Sequence, residues 1–340
     1  MPYWQARGFG MTFAITNNRI IKSPQNMDKN QHLSDVLYTH KMQHIQEEVD
    51  KFIAKKDDII SLLLEKYAAI SYSPFLSGSM AKHTATNAKF DFDIVIPFKK
   101  DAFASLEEMF NEVYNYLREK LSDDIEVRKQ KVSIGVIYPT DKDDVTVQLD
   151  IVPARENKQN DFKETHNLNL YFNDSAWGFR KGSWTKTNIH AQIDYIKGKS
   201  DERKVIRLLK IWKKSRGEDY KSFMFELFTI KALADYTGDS SLWSKLKYVL
   251  NYISEHVTDE KYQLIDPGNS NNNVLSSMDT LKRLNLSSTL DLVRHNVEDN
   301  PDIYMSYYFP IKEEYLPKEK QDKGYGEEKI SYPPTAKRFG

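Results

Sequence analysis

The stretch "SGSMAKHTATNAKFDFDIVIPF", residues 77–98, decides how this chain folds. It opens on a glycine–serine pair and reaches two aspartates, Asp91 and Asp93, at the mouth of an apolar run. The run, Phe92–Phe98, predicts a β-strand, and side chains at i and i+2 of a strand share one face. The sequence therefore predicts two carboxylates that point the same way from one strand, while its apolar side chains enter the core.

A later strand carries a third carboxylate. In "VTVQLDIVPA", residues 145–154, Val147, Leu149 and Ile151 form the apolar set, so Asp150 lies on the opposite face. A carboxylate placed there without a partner would be costly.

A divalent cation is the simplest partner for three converging carboxylates. Ligands that are all oxygen suit Mg²⁺, with Mn²⁺ as the other option. We predict that Asp91, Asp93 and Asp150 are the catalytic residues and hold two metal ions, which activate a hydroxyl nucleophile and stabilise a pyrophosphate leaving group.

The glycine–serine pair, Gly78 and Ser79, is predicted to bind phosphate. Glycine lets the backbone approach a phosphate, while the following amides and the serine hydroxyl can hold its oxygens. The pair alone is a common turn. Its position twelve residues before a D-x-D strand makes the phosphate hypothesis specific.

This pattern of Gly78-Ser79, Asp91-Phe92-Asp93 and Asp150 resembles the polymerase-beta-like nucleotidyltransferase superfamily. Within it, the chain is similar to the CD-NTases, the bacterial cyclic-oligonucleotide synthases related to cyclic GMP-AMP synthase and oligoadenylate synthase. The resemblance covers roughly residues 35–295 and departs from the pattern at His83, where many relatives carry a small residue. It implies an α+β fold with a mixed sheet flanked by helices, a long N-terminal helix and a C-terminal helical lobe.

Periodicity and composition divide the chain into three parts. Residues 1–187 are expected to form the catalytic lobe, with an amphipathic helix that Ser34-Asp35 would cap and that runs to about Tyr67. Residues 188–299 are expected to form a helical lobe that closes the nucleotide cleft. Residues 300–340, rich in Pro, Lys, Glu and Tyr, are expected to be a partly extended or mobile tail.

A basic stripe follows one helix of the predicted second lobe. In "RKVIRLLKIWKKSR", Arg203, Arg207, Lys210 and Lys214 share a face that no acidic residue interrupts. A solvated helix surface would give this pattern, and so would a phosphate ligand. The resemblance implies that Lys210 and, on the next helix, Ser222 contact the triphosphate of the donor nucleotide.

The resemblance also implies the reaction. Nucleoside triphosphates, ATP among them, would be joined into a cyclic di- or trinucleotide second messenger with release of pyrophosphate, in antiphage signalling. The alternative is a nucleotidyltransferase that modifies a macromolecular acceptor, such as an RNA 3′ end or a protein hydroxyl; a catalytically inactive binding module is a third hypothesis. With 49 basic and 49 acidic residues, the chain lacks a strong nucleic-acid signature.

The composition and the apolar stretches of the sequence exclude several further kinds of site and segment. The absence of cysteine excludes disulfides, thiolate zinc sites and cysteine nucleophiles. No stretch has the continuous apolar sequence of a signal peptide or a membrane span, so we expect a cytoplasmic protein without a membrane partner. The resemblance further implies conjugation through the C-terminal Gly340 by ubiquitin-like machinery.

Overall fold

The structure is a computed structural model and describes residues 27–88, 90–139, 146–173 and 182–318. Within these ranges the strands are β1 Phe75–Leu76, β2 Phe92–Phe98, β3 Glu126–Lys129, β4 Ile134–Ile137, β5 Gln148–Glu156, β6 Leu168–Tyr171, β7 Trp184–Thr187, β8 Ile265–Asp266 and β9 Asn269–Asn273. The α-helices are α1 Lys29–Thr39, α2 Gln46–Tyr67, α3 Gly78–Ala81, α4 Leu106–Lys120, α5 Phe162–Thr165, α6 Ile189–Ile196, α7 Ser200–Ser215, α8 Ser222–Ala234, α9 Leu242–Val257, α10 Thr280–Asp299 and α11 Pro301–Tyr308.

Seven of these strands form one mixed sheet built around β2 and β5. The two strands are parallel, and along one path the sheet runs β1-β2-β5-β4-β3. The antiparallel strands β4 and β6 pair with successive parts of β5. The predicted α+β class, with a mixed sheet and flanking helices, is confirmed.

Apolar side chains from one face of the sheet pack against α2 and α4. Phe92, Ile94 and Ile96 alternate into this core together with Leu149 and Ile151. The period-2 pattern predicted this face correctly because a half-buried strand must separate its apolar and polar side chains. Asp93 and Asp150 are therefore left on the opposite face.

The helical lobe has a core of its own. Helices α7 to α11 bury a large apolar cluster that includes Trp212, Phe225 and Phe228, and α1 contributes Leu33 and Val36 to the same cluster. Helix α1 thus packs on the helical lobe, although residues 1–187 were predicted to form the catalytic lobe.

The single N-terminal helix predicted from Ser34-Asp35 to about Tyr67 is wrong in its start, and two helices stand in its place. Asp28 caps α1, accepting from the backbone N–H groups of Asn30 and Gln31 at 2.9 and 3.1 Å. The helix stops at Thr39, and a 3₁₀ turn at Met42–Ile45 separates it from α2. Asp28 was missed because the apolar period that marks a helix begins only after its cap.

One strand has no signal in the sequence. The segment Glu126–Lys129 pairs antiparallel with Ile134–Ile137. Most of its side chains are exposed, so it lacks the apolar alternation by which a strand is recognised.

The predicted C-terminal tail is packed where the structure describes it. Residues 301–308 form α11, and Phe309 is fully buried in the helical core. Gly340, with its predicted conjugation, lies outside the described residues. Across the described ranges, no helix is both long and apolar enough to cross a membrane.

Replacing Phe309 tests whether this segment belongs to the folded core. Phe309→Ala should lower the free energy of unfolding by about 3–5 kcal/mol, because it leaves a cavity among the side chains of the helical lobe. Urea denaturation of the full chain measures the change. Ile303→Ala, on the partly exposed face of α11, is the control and should cost less than about 1 kcal/mol; equal effects would contradict the assignment.

Candidate active site

Two of the predicted carboxylates are neighbours in the sheet. The register of β2 and β5 places Asp93 beside Asp150, and Asp91 lies two residues before Asp93 at the entrance to β2. The side-chain amides of Gln130, which follows β3, and of Gln148 on β5 donate to Asp150 Oδ1 at 3.0 and 3.1 Å. These two hydrogen bonds fix the orientation of the third carboxylate.

The position of Asp93 explains why residue 78 is glycine. Gly78 has a φ of +63°, a conformation that side-chain-bearing residues rarely adopt. A Cβ at this position would lie 1.8 Å from Asp93 Oδ2. The loop that leads into α3 can therefore approach the carboxylate only with glycine, and the Ser77 N–H donates to the Asp93 carbonyl at 2.8 Å to hold it there.

Burial and mutual repulsion perturb the carboxylates. Burial, together with the charges of Asp91 and Asp150, raises the pKa of Asp93 to about 7. Burial and the charge of Asp91 also raise the pKa of Asp150, while the hydrogen bonds from the two glutamine amides act to lower it. The three side chains are thus close enough to act on one another through their charges.

The chemistry of this donor set fits a hard divalent cation. All the donors are carboxylate oxygens, and a bound cation would offset the repulsion that raises the pKa of Asp93. Among the described residues, however, no group of three or more His, Asp or Glu side chains is already assembled as a metal-binding cluster. Repulsion between like charges opposes such an assembly without the cation.

A cleft of about 390 Å³ joins the phosphate loop to the helical lobe. We call it the first cleft. Gly78, Ser79 and Asp91 line it from the sheet side, and Lys210 and Ser222 line it from the helical side. Five of the seven residues predicted for the site therefore lie along one cleft, with Asp93 behind Gly78 and Asp150 beside Asp93.

Lys210 is held in this cleft by a buried ion triad. Glu226 of α8 binds Lys210 Nζ at 3.2 Å through Oε1 and Lys82 Nζ at 2.9 Å through Oε2. Lys210 also donates to Thr84 Oγ1 at 2.8 Å. Since Lys82 and Thr84 follow α3 whereas Lys210 and Glu226 belong to α7 and α8, the triad connects the two lobes.

The triad keeps its charges in a dry environment. All three side chains are nearly buried, with exposed fractions of 7–13%. Burial lowers the pKa of Lys210, an effect that Glu226 opposes. Burial alone would raise the pKa of Glu226, but the two lysines outweigh it and hold that pKa below its ordinary value.

Ser222 begins α8 and faces the same cleft. Lys213 Nζ lies 3.5 Å from Ser222 Oγ, and Lys213 and Lys214 also line the cleft. The hydroxyl therefore shares the first cleft with three lysines of α7, an environment suited to an anionic ligand.

A second cleft, of about 500 Å³, meets the first at Asp91. Phe90 and Gln148 line it from the sheet, while Lys312 and Tyr315 line it from the segment that follows α11. Asp91 borders both clefts, as does Ala88. A carboxylate at the border of two clefts can contact molecules bound in both.

Sequence reasoning missed the residues that support the site. Glu226 lies in an apolar helix whose sequence pattern indicates only a buried core helix. Gln130 lies in a loop, where no helix or strand periodicity points to a role for it. Gln148 shares the strand face of Asp150, and this spacing of two could have identified it as a neighbour.

Comparison with known proteins gives a consistent result. No family model matches the chain. A CBASS oligonucleotide cyclase CdnC from Escherichia coli (strain KTE188) is 27% identical over 195 residues, 53% of this chain and 56% of the relative. The match therefore spans little more than half the length of that curated relative.

Solved structures of low sequence identity share the fold. CdnC of E. coli MS115-1 with ATP aligns with a TM-score of 0.64 at 20% identity, covering 83% of this chain and 97% of that structure. The cyclic AMP-GMP synthase DncV of Vibrio cholerae gives 0.55 at 14%, with 83% and 84% covered. The cyclic dinucleotide synthase CdnE of Elizabethkingia meningoseptica gives 0.51 at 14%, with 77% and 97% covered.

The chain shares the polymerase-beta-like fold of these structures. In sequence it is homologous to CdnC, and in fold it matches CdnC, DncV and CdnE, which are CD-NTases.

The raised pKa of Asp93 predicts a pH-dependent stability. An unfolded aspartate titrates near its ordinary pKa of about 3.9, whereas Asp93 in the folded chain titrates at about 7. Between these values the folded state binds the additional proton, so its contribution to the free energy of unfolding falls as the pH rises. In metal-free buffer at pH 8, Asp93→Asn should therefore be more stable than the wild type by about 1–3 kcal/mol.

Urea denaturation at two pH values measures this effect. At pH 5 Asp93 is protonated in the folded wild type, so the difference between the variant and the wild type should be smaller than at pH 8. Asp123→Asn, at an exposed position on another loop, is the matched control. A variant no more stable than the wild type at pH 8 would contradict the assigned repulsion.

The ion triad predicts a large cost for removing its carboxylate. Glu226→Gln leaves Lys82 and Lys210 buried side by side without the carboxylate that pairs with both, and should lower the free energy of unfolding by about 3 kcal/mol. Glu255→Gln, on the exposed surface of α9, is the control and should change it by less than about 0.5 kcal/mol. If both variants unfolded at the same urea concentration as the wild type, the triad would not stabilise the lobe contact.

Proposed function

We propose that this chain joins nucleoside triphosphates into a cyclic oligonucleotide with release of pyrophosphate. The observation that carries the proposal is the pairing of Asp93 with Asp150 next to Asp91, which borders two clefts, one of them lined by Gly78, Ser79 and lysines. The homology to a CBASS oligonucleotide cyclase supports the same reaction. ATP is the expected first substrate, since a related fold has been solved with it.

The first cleft would hold the triphosphate of the donor nucleotide. Gly78 gives the backbone access to phosphate oxygens, Ser79 and Ser222 present hydroxyls, and Lys210 supplies positive charge. Glu226 fixes the Lys210 ammonium in the cleft before the nucleotide arrives, so less conformational entropy is lost on binding.

The second cleft would hold the acceptor nucleotide. Its border at Asp91 brings a 2′- or 3′-hydroxyl toward the carboxylates. The hydroxyl oxygen forms a bond to the α-phosphorus of the donor, the bond from that phosphorus to the bridging oxygen breaks, and pyrophosphate leaves. Within the described residues, Asp150 Oδ1 is taken by two amides, which leaves Oδ2 to accept the hydroxyl proton. A second transfer in the same site closes the ring.

Asp91, Asp93 and Asp150 would hold two Mg²⁺ ions, with Mn²⁺ as the possible substitute. When bound, the ions supply charge stabilisation and lower the pKa of the attacking hydroxyl. The carboxylates contribute by fixing the positions of the charges on a rigid sheet, where the register of β2 and β5 sets their spacing. We place the activity in the cytoplasm, in antiphage signalling.

Product analysis tests the proposal. The purified chain is incubated with all four nucleoside triphosphates and Mg²⁺, and the products are resolved by mass spectrometry. We expect pyrophosphate and a cyclic di- or trinucleotide, with a loss of at least about 100-fold in Asp93→Asn and Asp150→Asn. Asp123→Asn should retain full activity. Nucleotide turnover that survives in both site variants would contradict the proposal.

The alternative acceptor predicts a different product. If label from α-labelled ATP appeared in RNA or in protein and not in a small cyclic molecule, the chain would modify a macromolecule. The balance of 49 basic and 49 acidic residues argues against a large nucleic-acid acceptor, which requires a basic surface.

A further inference from the structure

A third cavity of about 390 Å³ opens between α1, α7 and the start of α9. We call it the basic pocket. Lys41 follows α1, Lys204 and Arg207 belong to α7, and Lys245 belongs to α9. It shares no lining residue with the first or the second cleft, so it is separate from the candidate active site.

Positive charge dominates this pocket. Four cationic side chains and a single carboxylate, Asp201, line it, which leaves an excess of three positive charges. Lys204 and Lys245 share that carboxylate at 2.9 and 2.5 Å. The ammonium of Lys41 lies 4.8 Å from the centre of the Tyr38 ring. One acid thus serves two lysines, and the remaining cations have no countercharge in the pocket.

Arg207 has the least satisfied side chain there. Its Nε–H is shielded from solvent and has no hydrogen-bond partner within the described residues, and the same is true of Arg203 one turn earlier on α7. The two guanidinium groups repel each other, and burial together with Arg203 lowers the pKa of Arg207. Shielded donors of this kind normally have an acceptor.

We propose that the basic pocket binds a small anion that carries two or three phosphoryl groups. Such a ligand matches the excess charge, and a guanidinium offers paired donors to phosphoryl oxygens. The ligand would accept hydrogen bonds from the Arg207 guanidinium where it lines the pocket and would offset its repulsion with Arg203. A nucleic acid fits less well, because phosphate contacts to a duplex are repeated along its length, whereas this site is one concave pocket.

The position of the pocket separates it from the proposed reaction. Lys210 lies on the same helix as Arg207, but its ammonium contacts Thr84 and Glu226 on the side of the first cleft. The binding proposal therefore does not rest on the proposed function, and it can be tested in a chain whose catalysis is absent.

Calorimetric titration of the full chain with sodium tripolyphosphate tests the proposal. The titration is run at constant ionic strength and repeated with a non-hydrolysable ATP analogue and Mg²⁺, which compete for any polyphosphate site in the first cleft. We expect one site to persist with the analogue present. Arg207→Gln should weaken that site at least tenfold, Arg203→Gln should weaken it in the same direction, and Lys247→Gln should leave it within twofold. Lys247 is the control because it lies on α9 near Lys245 but pairs with Glu298 outside the pocket.

Thermal melting distinguishes binding from a structural role. Without tripolyphosphate, Arg207→Gln should melt at the temperature of the wild type or above it, because the substitution removes a repelled charge. With tripolyphosphate, the wild type should melt at a higher temperature and the variant should not.

Three results would overturn the proposal. The first is equal affinity of Arg207→Gln and the wild type for tripolyphosphate. The second is a lower melting temperature of the variant by the same amount with and without the anion, which would assign Arg207 a structural role. The third is binding of a 20-base-pair DNA duplex that needs Arg207 and that tripolyphosphate does not displace, which would assign the pocket to nucleic acid. A titration with ADP in place of tripolyphosphate shows whether the pocket binds a nucleotide or an inorganic polyphosphate.

Discussion

The parallel register of β2 and β5 is the constraint on which the candidate site depends. Neighbouring strands lie about 4.8 Å apart, so the pairing of Asp93 with Asp150 forces two carboxylates together although they repel. The register is fixed by the other face, where Phe92 pairs with Leu149 in the core. A shift by one residue would exchange the apolar and the acidic faces of a strand. Burial of the apolar face thus stabilises the strained arrangement of charges.

The helical lobe supplies the opposite charge through a shared carboxylate. Glu226 neutralises part of the charge on Lys82 and Lys210, one lysine from each side of the first cleft. Either lysine buried alone would be costly, and so would Glu226. The three charges can be buried only together. The ion triad therefore determines both how the two lobes contact each other and which charged side chains line the first cleft. It also leaves the cleft lined by fixed cations that a triphosphate can meet without a large rearrangement.

The sequence predicted the parts of this molecule whose signals are local. The alternation in β2 and β5 identified both faces of the sheet, and the D-x-D spacing identified the carboxylates that the fold brings together. What it could not predict depends on distant pairing. Glu226 is an acid in an apolar helix, and only its approach to Lys82, 144 residues away, shows why it is there. Likewise, α1 appeared to belong to the catalytic lobe because α2 follows it, yet Leu33 and Val36 pack against helices far along the chain. Residues 300–340 as a whole indicate a partly extended tail by composition, but Met305 and Phe309 fill the helical core.

The basic stripe of α7 shows how one helix face can serve two surfaces. The stripe runs along α7 and consists of Arg203, Arg207, Lys210 and Lys214. Their spacing in the sequence does not distinguish one of them from another. In the fold, Thr84 and Glu226 contact Lys210, whereas α1 covers the stripe at Arg207. Asp201, which lines the basic pocket with Arg207, pairs with Lys204 and Lys245, whereas Glu226 pairs with Lys210 of the stripe. A chain with no net charge can therefore concentrate positive charge in two separate cavities, because neutrality of the whole is reached by acids elsewhere on the surface and not by pairs within the stripe.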